Sequence, residues 1–105
     1  MKSVSIHENF VFHDANPYAE PLFVDPTGRV LRFTLQPGQS VREHIAPSSP
    51  VYLLTLQGAG LYSGEDGREE RFGPGTLVVY DVGERHAIRA EDEQLVFLAF
   101  LHGAP

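Results

Sequence analysis

The sequence predicts an all-β fold, an antiparallel sandwich or barrel assembled from many short strands. Glycine and proline supply 18 of the 105 residues, above the ~12% of an average protein, and they recur at short intervals without pooling in one linker. Between them lie short runs rich in β-branched and aromatic residues, the signature of strands bounded by turns. Helical patterning is nearly absent. Ile6 to Tyr18 has room for one turn of helix before Pro17, but His13-Asp14-Ala15-Asn16-Pro17 reads as loop. At 105 residues, with no repeat, low-complexity tract or composition break, the chain reads as one domain. Residues 1–20 form an N-terminal arm or strand, and 21–105 the barrel.

From Leu22 onward the pattern is strand and turn. Asp25-Pro26-Thr27-Gly28 carries the residue preferences of a type I turn. Val30 to Leu35 follows, with Leu31, Phe33 and Leu35 on one face and Arg32 and Thr34 on the other. Pro37-Gly38 ends that strand and Val41 to His44 begins the next. Val51 to Leu56 runs up to Gly58-Ala59-Gly60. Leu61 to Ser63 and Glu69 to Phe72 flank Asp66-Gly67, a pair suited to a tight hairpin whose charged tip faces solvent. Gly73-Pro74-Gly75 leads into Thr76 to Tyr80. Arg85 to Ala90 and Gln94 to Leu101 read as a final pair, joined across Glu91-Asp92-Glu93.

The last strand is unusual in being apolar on both faces: Leu95, Phe97, Ala99 and Leu101 on one, Val96, Leu98 and Phe100 on the other. A half-wet antiparallel strand alternates apolar with polar, so both faces of this one require cover. A second copy of the chain is one such cover, and a homodimer is the expectation.

Composition excludes several classes of function. The chain has no cysteine, which removes disulfides, thiolate metal sites and cysteine nucleophiles. Eight Lys and Arg against fourteen Asp and Glu leave a net charge of −6, a poor match to nucleic acid or an anionic membrane. The opening Met-Lys-Ser-Val-Ser-Ile-His-Glu lacks the apolar core of a signal peptide, and the expected location is the cytoplasm. No Ser-His-Asp spacing, phosphate loop or nucleotide fingerprint is present.

Five histidines stand at positions 7, 13, 44, 86 and 102, with no His-x-His or helical pair among them. His44 follows Gly38 by six residues and precedes Gly58; His86 follows Gly75 by eleven and Gly83 by three. In this framework the sequence resembles the cupin superfamily, whose first motif runs Gly, five residues, His-x-His, three or four residues, Glu, six residues, Gly. The second runs Gly, five residues, Pro-x-Gly, two residues, His, three residues, Asn. Gly38, His44 and Gly58 match the first, at 38–58; Gly75, Gly83 and His86 match the second, at 75–90. The resemblance implies an antiparallel double-stranded β-helix, or jelly-roll barrel, with His44 and His86 facing each other inside it.

It also implies a divalent metal (Fe, Mn, Ni or Zn) on four ligands, and there this chain departs from the family. The matching positions are His44, Ala46, Val51 and His86, so half the donors are hydrocarbon. Asp81 and Ala90 replace the motif's Pro and Asn. Divalent sites usually take three or more protein donors, and two imidazoles hold such an ion weakly. Tyr52, Glu43 or a terminal histidine are candidate third donors, but Glu43 and Tyr52 are each next in sequence to an inward position, and strand alternation points those two away. Arg42 shares the parity of His44 and is a candidate for reaching a carboxylate or phosphate at the barrel mouth. Asp81 and Glu84 stand near His86 as loop acids or as partners of its charged form.

Two readings of function follow. In the first the barrel binds a small molecule, with His44, His86 and Arg42 as the polar groups of a largely apolar pocket. In the second it is a metal-dependent enzyme of the dioxygenase or isomerase class, or a metal-free one using the two histidines as acid and base. Fold alone does not choose between them.

Overall fold

The computed structural model describes residues 1–102 and, of His44, the backbone alone; the last three residues assigned to the domain lie outside it. The described residues form nine strands: β1 (Tyr18–Asp25), β2 (Gly28–Leu35), β3 (Ser40–His44), β4 (Val51–Gln57), β5 (Gly60–Ser63), β6 (Glu69–Phe72), β7 (Leu77–Tyr80), β8 (His86–Ala90) and β9 (Leu95–His102). They pair antiparallel in two sheets, one ordered β1-β2-β9-β4-β7 and the other β3-β8-β5-β6. Strand limits differ from the sequence reading by one or two residues. The exception is β1, which starts at Tyr18 and so takes in the end of the expected arm.

The connections follow local chemistry. At the β1–β2 turn, Asp25 Oδ1 accepts hydrogen bonds from Thr27 N (2.8 Å), Thr27 Oγ1 (2.7 Å) and Gly28 N (3.1 Å). The β5–β6 hairpin closes with Gly67 N donating to Gly64 O at 3.0 Å. Gly58 ends β4 at φ +73°, and a Cβ there would sit 2.0 Å from Gln94 O, so only glycine fits.

The expected pairing of the last two strands does not form. β9 inserts between β2 and β4, while β8 inserts between β3 and β5 in the other sheet. Glu91-Asp92-Glu93 is therefore a crossover between layers. A strand apolar on both faces belongs at the centre of a covered sheet, and the centre of the five-stranded sheet is where β9 lies.

The sheets enclose one core. Phe33 and Phe97 are opposed in register, and their rings stack at 4.9 Å with 10° between planes. Tyr62 from the facing sheet meets Phe97 edge-on at 6.1 Å. The outer face of β2 carries Arg32 and Thr34, both buried, because the N-terminal arm crosses over them. Arg32 Nη1 donates to Ile6 O and Glu8 O, each at 2.9 Å, and its Nη2 pairs with Glu20 at 2.7 Å. Thr34 Oγ1 donates to Val11 O at 2.6 Å. The register partners of Arg32 and Thr34 are Leu98 and Val96, which are only 2% and 0% exposed. Much of the second face of β9 is thus covered within one chain. Among the described residues no helix is long and apolar enough to cross a membrane.

Candidate functional site

The two ends of the barrel differ. Where β2 and β9 bring Leu35 opposite Leu95, both side chains are 0% exposed and the interior is filled. At the other end, where Arg29 faces Leu101 and Val51 also pairs with Leu101, a cavity of about 300 Å³ opens. Its walls are Leu31, Val41, Ala46, Val51 and Leu101, and its floor is the Phe33–Phe97 stack. A volume of that order, apolar with a few polar groups, suits a small organic ligand.

His86, the first residue of β8, and Ser49 are the buried polar residues of this cavity, at 2% and 3% exposure. The His86 ring lies flat on Tyr80, with centroids 4.6 Å apart and 19° between planes. Its Nδ1 is 3.1 Å from Glu84 O. A carbonyl only accepts, so Nδ1 is the donor in this contact. Glu84's carboxylate is turned elsewhere, accepting from Asp81 N at 3.0 Å and Glu65 N at 3.4 Å. Asp81 is exposed. Both behave as loop acids.

The backbone register sets His44 opposite His86, as the two motifs imply. The side chain of His44 lies outside the described residues. Arg42 does not reach the cavity. The β3–β8 register slips between Val41 and His44, so the alternation that gave Arg42 the parity of His44 fails. Val41 faces the cavity, whereas Arg42 is exposed and borders a shallow outer groove with Glu69 and Arg89. Glu43 and Tyr52 point away, as expected: Glu43 pairs with Arg85 at 3.6 Å, and Tyr52 meets the His102 ring edge-on at 5.7 Å.

Among the described residues the four-donor set that the family resemblance implies is incomplete. Ala46 and Val51 line the cavity beside His86 at the positions where donors would stand. Among the described residues no three His, Cys, Asp or Glu side chains come together as a ligand set. Ser49 lines the cavity too, but its hydroxyl is engaged, donating to Pro50 O and accepting from His102 N at 2.8 Å.

Two interior groups escaped the sequence reading. Tyr80 is buried, its hydroxyl has no hydrogen-bond partner among the described residues, and burial raises its pKa. Arg29 lines the cavity mouth. It shares the parity of Leu31, Phe33 and Leu35, and extending that alternation two residues back to Arg29 would have found it.

The Cupin domain family model matches residues 31–101, and the chain belongs to that family. Among solved structures, the chain is similar to a protein from Thermus thermophilus, at TM-score 0.92 and 19% identity over 100% of both chains. An RmlC-like cupin from Desulfovibrio desulfuricans matches at TM-score 0.85 and 22% identity over 96% of each. A predicted oxalate decarboxylase from Thermotoga maritima matches at TM-score 0.73 and 21% identity, over 90% of this chain and 99% of that one. Likeness at these identities establishes the double-stranded β-helix and leaves function to the site. The curated proteins contain no match.

Proposed function

We propose that this cupin binds a small molecule with an apolar body through the open end of its barrel. His86 is its polar contact, and His44, opposite it in the strand register, completes the pair. The observation that carries the reading is the cavity of about 300 Å³ ending on the Phe33–Phe97 stack, with hydrocarbon where the family places metal donors. A neutral aromatic probe, 2-naphthalenemethanol, tests it by NMR titration. Amide shifts clustered at Leu53, Ile88 and Ala99, lost in Ala46→Phe, are the expected result. No binding, or binding indifferent to Ala46→Phe, overturns it.

Of the enzymatic alternatives, the metal-free one has the better support. With Nδ1 engaged by the Glu84 carbonyl, His86 brings imidazole acid–base chemistry into the cavity, where a carbonyl compound is the kind of substrate it suits. The protein is further proposed to form a homodimer through the outer face of β4 and β7. Leu77 and Val79 there are 58% and 49% exposed, beside half-buried Leu54 and Leu56. Sedimentation velocity at micromolar concentration should show a species of twice the 11.6 kDa chain mass, reduced to the chain mass in Val79→Glu. A single 11.6 kDa species in the unmodified protein refutes the dimer.

A further inference from the structure

Among the described residues Arg29 has no counter-charge, in a protein rich in carboxylates. Fourteen Asp and Glu stand against eight Lys and Arg, yet no ion pair or hydrogen bond reaches the Arg29 guanidinium from the described residues. Its Nε is buried with its N–H unpartnered. Three exposed arginines, by contrast, are paired: Arg71 with Glu91, Arg85 with Glu43 and Arg89 with Glu69. On the same strand Arg32 also has a buried Nε without a partner, but its two Nη atoms are held by arm carbonyls and Glu20. The difference is direction. Arg32 points outward under the arm, whereas Arg29 points inward with Leu31 and Phe33, at the rim of the cavity.

A buried cationic N–H without an acceptor is unfavourable, and an anion entering beside it relieves that state. The guanidinium edge matches a carboxylate, which takes two parallel N–H donors in one plane. Among the described residues Arg29 is the one permanent cation of the cavity, whose other polar lining residues are Ser48, Ser49, His86 and His102, and one cation matches one negative charge. A phosphate dianion carries more charge than this one cation balances. We infer that Arg29 is the anion anchor of the barrel and that the ligand is a monocarboxylic acid. Its carboxylate lies at the mouth and its apolar body runs down toward Phe33 and Phe97.

This inference rests on the small-molecule reading of the cavity and is tested by an isosteric pair, 2-naphthoate and 2-naphthalenemethanol, titrated by NMR or calorimetry. The naphthoate should bind at least tenfold more tightly than the alcohol. Arg29→Met should erase that preference while leaving the alcohol's affinity within about twofold. Arg29→Lys keeps the charge without the fork and should retain only part of it, which guards against a folding defect in the Met variant. A guanidinium stays charged throughout the accessible range, so the preference should persist at pH 9, above the range in which imidazoles carry charge. Equal affinities for acid and alcohol, or a preference that disappears above pH 8 as a histidine loses its proton, overturn the role of Arg29 and leave the pocket standing. Failure of both probes to bind overturns the pocket reading and this inference together.

Discussion

The closed and open ends of the barrel are built from the same strands and make opposite use of them. At the closed end β2 and β9 contribute Leu35 and Leu95, and β5 contributes Gly60, where a Cβ would stand 2.6 Å from Leu95 Cδ2. The missing side chain lets Leu95 fill that end completely. Beside it, Thr55 Oγ1 and Tyr62 Oη share a buried hydrogen bond of 2.5 Å, so the polar atoms there answer one another. At the open end the same ladders contribute Arg29 and Leu101 but no residue large enough to close the space. Ala46 and Val51 line it, Arg29 Nε is unpartnered, and His86 is fixed by Tyr80 and the Glu84 carbonyl. The buried hydroxyls of Thr55 and Tyr62 satisfy each other at the closed end, whereas Arg29 Nε at the open end has no partner among the described residues.

Truncation should separate the ends most clearly. Leu95→Ala removes a side chain with 0% exposure from a filled region and should cost about 2–5 kcal/mol of unfolding free energy. Leu101→Ala borders an existing cavity and is half-buried, so a loss of roughly 1 kcal/mol is expected. Urea denaturation of the two variants measures the difference; equal losses would break the contrast.

Alkaline titration comes next. Burial pushes the Tyr62 phenol up to about 12 from an ordinary value of 10.0, against the opposing pull of its bond to Thr55. A folded-state pKa above the unfolded one means that the folded state keeps its proton longer. The associated stability is whole below pH 10 and is lost as pH rises through 12. Between those limits the loss is about 2–3 kcal/mol. Tyr62→Phe should flatten the stability profile from pH 10 to 12, leaving whatever Tyr80 contributes. An unchanged slope would show that the closed end is wetter than its packing indicates.

The smallest effect belongs to the mouth-side turn. Hydrogen bonds from Thr27 and Gly28 hold the Asp25 carboxyl below its ordinary 3.8. Its contribution is present above that pH and fades as pH falls through the depressed value. Asp25→Asn should lower the urea midpoint slightly at pH 7 and not at pH 2; a shift of equal size at both pH values would assign the effect to backbone geometry instead of charge.

The sequence by itself determined the class of fold, the approximate limits of β2 to β9, and the loss of two metal donors. Each of these depends on residues close together in the chain: alternation within a strand, Asp and Gly in a turn, Ala46 and Val51 at fixed distances from His44. Gly58 shows how much a single position can carry, because its φ of +73° is a local property that its type already announces. The tertiary structure alone decided three other matters. It placed β9 between β2 and β4, because burying two apolar faces requires neighbours that no local pattern names. It laid the N-terminal arm over Arg32 and Thr34, where carbonyls 23 to 26 residues away satisfy buried donors. It turned Arg42 out through the register slip in β3 and brought Arg29 in, exchanging the cation at the mouth. Period-two alternation predicts a side chain's direction only while the ladder is regular, and a slip is set by the strand it pairs with, β8, more than 40 residues further along the chain.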